Sequence, residues 1–324
     1  MNDDHKNLVS KVIQKHFNQS PVNVDRKTIG TANEVYGVVL PEKEVIVRLS
    51  QSDKFLFGSH NHIPILKKLG IKVPEILAED YSKTFIPYNY QIQSKIEGQD
   101  LDAIISTLTD EQLKAIAKEI ATIFRKIKTI PADGKFGYIY AHKEDLVDTW
   151  TLRIQQEVDR AIKRGTKTGV MEDWLEALLR KLFDDYRSYF DTVKSETYFD
   201  DISSKNVMIH DGVFSGLVDL DCLAEGDYLE AVGRIKASWY GTHYGQIYTE
   251  AVSDELGLSQ EQRKLVTAYA LFNRIFWTCE NGIQMNQNTK AVVDQASDKE
   301  NKEVVRALAK ELAASAIDIS AKKS

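Results

Sequence analysis

Residues 198–221, YFDDISSKNVMIHDGVFSGLVDLD, decide how this 324-residue chain is read. Val207 and Ile209 alternate with Met208, and residues 213–220 return as a second β-favouring run. Asp211-Gly212 lies between the two runs. That dipeptide is a strong short-range hairpin signal, because tight hairpin turns impose positive φ values that Asp and Gly tolerate. A hairpin here brings Asn206, before its first strand, next to Asp219, after its second. Asp201 stands five residues ahead of Asn206 on a loop and can face the same point. Asp201, Asn206, Asp219 and Asp221 therefore make a set of hard oxygen groups suited to handling a proton and Mg²⁺.

The bulk numbers set limits on what this cluster serves. A chain of 324 residues is too long for one small core and predicts two lobes. With 43% hydrophobic and 28% charged residues, the composition is that of a soluble globular protein. A net charge of −6 argues against a nucleic-acid partner, which would call for a basic face. Cys222 and Cys279 are too few for a disulfide framework and point to a reducing compartment. The N-terminus, MNDDHKNLVSKVI, lacks the basic-then-apolar order of a signal peptide, and no run of 18 apolar residues exists. The expectation is a cytoplasmic protein with no membrane partner, a monomer or homodimer.

Around the central stretch, the chain reads as strands first and helices afterwards. Leu8, Val9, Val12 and Ile13 mark a short amphipathic helix, and residues 22–49 then read as an antiparallel meander. Its first turn, GTANE at residues 30–34, can set backbone N–H groups over a phosphate, since Gly30 allows close approach. Arg48 closes an alternating strand from which a cation can reach the same phosphate. A helix around residues 63–69, a strand at 73–77 and alternation over 88–96 complete a lobe of residues 1–95. Residues 96–324 read as mainly helical. Thr109 with Gln112 and Ser259 with Gln262 mark helix starts, and further helices are predicted at 146–164, 172–190 and 302–314. The aromatics Trp239, Tyr240, Tyr244 and Tyr248 fall at helical spacing. His60 and His62 have no third partner that would make a zinc site.

Phosphoryl transfer needs one carboxylate for the acceptor hydroxyl, and a second carboxylate with a neutral oxygen to hold Mg²⁺ against phosphates. Residues 199–206, FDDISSKN, and 218–221, VDLD, resemble the H-G-D-x-x-x-x-N and I-D-x-D motifs of the aminoglycoside phosphotransferase family. These are small-molecule kinases distantly related to choline kinase and the protein kinases. The resemblance implies an α+β, protein-kinase-like two-lobe fold, with a small antiparallel sheet before a larger helical lobe. It implies that Asp201 is the catalytic base, Asn206 a metal ligand and Asp219 the principal one. Asp221 would be a second metal contact or a hydrogen-bonding support for the loop. Gly30, Thr31 and Asn33 would cover the nucleotide phosphates, Arg48 would bind them, and Gln93 and Lys95 would lie at the hinge beside the nucleotide. ATP or GTP would be the donor, Mg²⁺ the cofactor and a small-molecule hydroxyl the acceptor.

Three departures from the family pattern are visible. Phe199 and Asp200 replace the motif's His-Gly, so support for that loop must come from elsewhere. Arg48 replaces the usual lysine, a planar fork in place of a point charge. No glutamate lies between Asp53 and Pro74 to orient that cation; Ser59 or Asn61 stands about there, and Pro64 would kink or shorten the helix. The cation would then be held by another acid, or the nucleotide geometry would differ. For the acceptor, Glu225, Asp227, Glu230, Trp239 and Tyr240 are the visible candidates, an acid-and-aromatic set suited to a cationic compound such as an aminoglycoside. A choline-like amino alcohol, a sugar and a macrolide stay open, as do resistance and metabolic roles. The alternative is a pseudokinase-like nucleotide-binding module with little catalysis.

Overall fold

The computed structural model describes residues 2–27, 33–140, 146–285 and 288–321, with the side chains of 2–3 and 315–321 set aside. Helix α1 (Asn2–Phe17) precedes strands β1 (Asn23–Lys27), β2 (Glu34–Val39) and β3 (Glu44–Ser50). Helix α2 (Lys54–Lys68) and strands β4 (Ile76–Asp80) and β5 (Asn89–Ser94) follow. The five strands form one antiparallel sheet in the order β1-β2-β3-β5-β4. Period-two alternation sorts its side chains. Tyr36, Val38, Val45, Val47, Leu49, Tyr90 and Ile92 bury one face against Val9, Val12 and Ile13 of α1. The other face carries Ile46 and Arg48 of β3 opposite Gln93 and Gln91 of β5.

The second part begins with β6 (Gln99–Asp100), α3 (Leu101–Ile104) and α4 (Asp110–Ile127). It continues through β7 (Gly137–Ile139), α5 (Trp150–Thr168), α6 (Asp173–Phe190) and β8 (Glu196–Tyr198). Strands β9 (Val207–His210), β10 (Val213–Leu217) and β11 (Leu223–Gly226) lead into α7 (Leu229–Ser238), α8 (His243–Glu255), α9 (Gln260–Glu280) and α10 (Gln295–Ala321). The fold is α+β, an antiparallel sheet ahead of a larger helical part. Thr109 and Ser259 both cap their helices in full capping boxes with Gln112 and Gln262. The β9–β10 hairpin turns at Asp211 and Gly212, with φ of 50° and 75°, the paired positive values of a type I′ turn.

Three local expectations are corrected. The second hairpin strand ends at Leu217, not at residue 220, so residues 218–221 are a loop free to turn their acids inward. The aromatic stretch is not one helix: α7 stops at Ser238 and α8 restarts at His243, where Thr242 caps its first turn. Helix α2 starts at Lys54 and runs 15 residues through Pro64 without being shortened. Pro64 sits on its exposed side, where water can satisfy the carbonyl that a proline leaves unpaired.

Helix α2 is pressed onto the helical part. Ile63 and Leu66 belong to the large hydrophobic cluster of the second part, not to the α1–sheet core. Gly58 makes this contact possible, because a Cβ there would come within 1.8 Å of the Asp221 carbonyl oxygen. His62, four residues on, packs its Nδ1 3.1 Å from the Leu220 carbonyl. An exposed helix glycine replaced by alanine gains up to about 1 kcal/mol from propensity. Here the sign reverses. Gly58→Ala is expected to lower the unfolding free energy by about 1 to 3 kcal/mol through overpacking against backbone, read by chemical denaturation.

Candidate active site

The loop between β8 and β9 is anchored by what it buries. Phe199 and Ile202 sit in the main core, leaving Asp200 and Asp201 at the surface of α7. Arg234 of α7 meets both carboxylates, Nη2 at 3.3 Å from Asp200 and Nη1 at 3.2 Å from Asp201. The loop's support therefore comes from a helix guanidinium and a buried phenylalanine. Burial raises the Asp200 carboxyl above the usual range, with Arg234 pulling it down and Asp201 adding to the rise. Asp201 differs from it in exposure: half of its side chain is open to solvent. Asn206 closes the loop, donating from Nδ2 to the Asp201 carbonyl at 3.0 Å, which leaves its Oδ1 to accept. The Asn206 carbonyl also takes the Val218 N–H at 3.0 Å, so the hairpin ties residue 206 to the start of the loop bearing Asp219.

Asp219 itself has φ of 57°, a left-handed conformation that non-glycine residues seldom adopt and that clusters at functional sites. This twist separates the two acids of the loop. Asp219 keeps 47% of its side-chain surface open, whereas Asp221 keeps 7%. Arg48, buried on β3, forks onto Asp221 with Nη1–Oδ1 at 2.7 Å and Nη2–Oδ2 at 2.6 Å. Its Nη2 also reaches Asp219 Oδ1 at 2.8 Å, and its Nη1 donates to Ser59 Oγ at 3.0 Å. Ser59 in turn donates to Asp221 Oδ1 at 2.5 Å, and Asn33 Nδ2 to Asp221 Oδ2 at 2.7 Å. Burial works against the Arg48 charge, but Asp221 and Asp219 more than offset it and hold the guanidinium more firmly protonated than usual. The acid that pairs with this cation lies after the hairpin and not on α2. Asp221, expected among the metal ligands, has both oxygens filled by these donors.

Four carboxylates, at 200, 201, 219 and 221, share two guanidiniums, Arg48 and Arg234, in these contacts. Desolvation in the cleft, then the Asp221 and Asp201 charges, push the Asp219 carboxyl up to about 6, with Arg48 opposing. Because nearly half of that side chain meets solvent, the surplus negative charge is the part a bound cation would relieve. The Asn206 amide oxygen and the open side of Asp219 fit Mg²⁺, which takes one or two protein carboxylates or amides and keeps waters.

Gly30 and Thr31 lie outside the described residues. Gln93 is buried and its amide donates to Gln91 Oε1 at 2.8 Å, and Lys95 pairs with Glu44 at 2.8 Å where β3 starts and β5 ends. The acid-and-aromatic acceptor set is hydrogen-bonded inside the helical part. Glu225 is buried and accepts the Asp133 N–H at 3.1 Å. Asp227 is buried and takes the hydroxyls of Tyr189 at 2.6 Å and Tyr269 at 2.8 Å, with the Leu229 N–H at 3.1 Å. Glu230 lies under Tyr198, whose hydroxyl donates at 2.5 Å. Trp239 donates its indole N–H to Asp102 at 2.9 Å, and Tyr240 its hydroxyl to Glu311 at 2.9 Å. Each of these side chains thus has a hydrogen-bond partner within the helical part.

Residues 28–262 match the model of the phosphotransferase enzyme family, which is well over half of the chain. It belongs to that family. Among solved structures, the aminoglycoside phosphotransferase APH(4)-Ia is 16% identical with a TM-score of 0.70, covering 93% of this chain and 98% of that one. The GDP and kanamycin complex of APH(2")-IIIa is 15% identical with a TM-score of 0.71, covering 94% and 99%. A putative fructosamine-3-kinase from Haemophilus somnus 129PT is 13% identical with a TM-score of 0.62, covering 93% and 96%. At these identities the likeness is one of fold, and it supports the protein-kinase-like arrangement. No curated protein sequence matches the chain.

Sequence reasoning missed three residues that shape this phosphotransferase's site. Arg234 is one helix cation among 42 basic residues, and only the fold puts it on Asp201. Ser59 was noted for the acid it replaces, not for the hydroxyl it inserts between Arg48 and Asp221. Gly58 gave no signal beyond being a glycine inside a helix, which asks for a packing reason.

Glu230 supplies a pH test of this packing. Burial, with Asp200 adding to it, pushes its carboxyl up to about 7 from 4.5, against Arg153 and the Tyr198 hydroxyl. The folded state thus holds a proton that the unfolded state has lost, so stability falls as pH rises from about 4.5 to about 7. Glu230→Gln keeps an acceptor for Tyr198 and removes the titration. Thermal melts across that window should flatten in the variant and favour it at pH 8, by on the order of 2 kcal/mol.

Proposed function

We propose that this phosphotransferase moves the γ-phosphate of ATP or GTP to a hydroxyl of a small molecule, with Mg²⁺ as its metal. The observation that carries the reading is the convergence of a half-open Asp201, Asn206 bonded to the Asp201 backbone, and a half-open Asp219 paired with sheet-borne Arg48. The division follows the same logic, with residues 1–95 holding the nucleotide and 96–324 supplying the reaction loop.

Asp201 is the base. Arg234 holds one of its oxygens in place, so the other can orient the acceptor hydroxyl and take its proton. The hydroxyl oxygen then bonds to the γ-phosphorus as the bond to the bridging oxygen breaks, and the nucleoside diphosphate leaves. Asn206 and Asp219 are the residues that hold the metal, and Arg48 carries positive charge to the phosphates. When bound, Mg²⁺ neutralises phosphate charge as the bond to the leaving group breaks. The acceptor approaches on the Asp201 side, next to Arg234, whose guanidinium carbon lies 5.9 Å from the Trp277 ring centre. Aminoglycosides are the first acceptors to test, since structures of like fold were solved with hygromycin B and kanamycin. Cytoplasmic location and a part in antibiotic resistance belong to this proposal.

The test pairs binding with turnover. Mg·ATP or Mg·GTP should raise the melting temperature of wild type and of Asp201→Asn alike, since neither needs the base to bind nucleotide. With a panel of aminoglycosides, amino alcohols, sugars and macrolides, phosphate transfer by Asp201→Asn should fall about 100- to 10,000-fold. Wild-type turnover in that variant would remove the base assignment. No melting shift with either nucleotide would remove the kinase reading.

A further inference from the structure

We infer that Asp221 is the residue that positions Arg48 against the nucleotide phosphates, a task for which α2 carries no acid, and that it is not a metal ligand. The inference rests on the nucleotide-dependent reading above.

The occupancy of its oxygens is the first ground. Oδ1 takes Arg48 Nη1 at 2.7 Å and Ser59 Oγ at 2.5 Å; Oδ2 takes Arg48 Nη2 at 2.6 Å and Asn33 Nδ2 at 2.7 Å. A carboxylate offers about four lone-pair sites, so these four donors leave none for a cation. Exposure is the second ground. Asp221 faces the interior with 7% of its side chain open, while Asp219, two residues earlier, faces the cleft with 47% open. The positive φ at Asp219 is the backbone turn that sends the two acids in different directions.

Geometry supplies the third ground. Two parallel N–H···O bonds fix both the place and the plane of a guanidinium, which a lone point contact cannot do. The four Nη hydrogens of Arg48 go to Ser59, Asp221 twice and Asp219. Two of these lie outside the fork: the one on Ser59 is enclosed by a fully buried residue, and the one on Asp219 meets a half-open side chain. That hydrogen is the one Arg48 turns toward a phosphate when Asp219 takes up its own cation, and the Asp221 fork holds the arginine in register meanwhile. Helix α2 takes part with a hydroxyl in place of an acid. Gly58 lets that turn of the helix lie against the Asp221 backbone, and Ser59 fills the remaining space.

The test reads nucleotide affinity by calorimetry, for ATP and for GTP, once in EDTA and once in Mg²⁺. A counter-ion of Arg48 matters in both conditions, whereas a metal ligand matters only in Mg²⁺. Asp221→Asn should therefore weaken binding about tenfold or more in both, leaving the ratio of the two affinities unchanged, while Asp219→Asn should collapse that ratio. A swap controls for folding. Ser59→Asp with Asp221→Ser moves the carboxylate to α2 at nearly constant volume and should recover affinity to within about threefold of wild type, where Asp221→Ser alone does not. The assignment is overturned if Asp221→Asn binds as wild type does, or collapses the Mg²⁺ ratio as Asp219→Asn does. It is overturned too if the folded swap variant binds no better than Asp221→Ser. Should wild type bind neither nucleotide, the kinase reading falls and this one with it. A wild type that binds while the ratio collapses in Asp221→Asn sinks this inference alone.

Discussion

The buried fork between Arg48 and Asp221 is the constraint from which the rest of the site follows. Taking both charges out of water costs several kcal/mol per ion, and their attraction offsets that only when every remaining donor and acceptor is matched. Here the matching is nearly complete, because Ser59 and Asn33 fill the lone pairs that Arg48 leaves. The pair joins β3 of the sheet to the loop after the β9–β10 hairpin, so neither can be placed without the other. A well-packed apolar pair would serve stability as well or better.

Helix α2 takes its role from the same constraint. Its Ile63 and Leu66 are buried in the core of the helical part, its His62 lies at the Leu220 carbonyl, and its Gly58 touches the Asp221 backbone. Burial lowers the His62 basicity, with the Leu220 carbonyl and Asp221 opposing, so this contact is made by a largely neutral ring near pH 7. A helix fixed this way does not need to carry the acid that orients Arg48. The loop it rests on carries that acid instead. Relocation of the carboxylate and fixation of the helix are two sides of one packing arrangement.

How much of this was legible in the sequence depends on how far apart the interacting residues lie. The hairpin, both capping boxes and the order Asp201, Asn206, Asp219 are local features, set by turn chemistry and by side chains within a few residues. They read correctly as structure. The partner of Arg48 did not, because 173 residues separate it from Asp221 and no spacing rule spans that distance. The acids at 225, 227 and 230 read as a surface set because carboxylates are seldom buried unless partnered. Their partners, Tyr189, Tyr198, Tyr269 and the Asp133 N–H, come from four distant segments. The break at Trp239 was hidden for a related reason: aromatic spacing continues through it, while the cap at Thr242 is a single residue.

With those acids paired inside the helical part, other charges of the same part also come in pairs. Arg234 pairs with Asp200, Arg153 with Glu157, and Arg164 with Glu280. Burial raises the Glu280 carboxyl, and Arg164 and Arg234 pull it back. A polycationic acceptor gains most where acids are unpaired; a neutral polyol gains from pairs, whose oxygens and N–H groups can be shared with hydroxyls at little electrostatic cost.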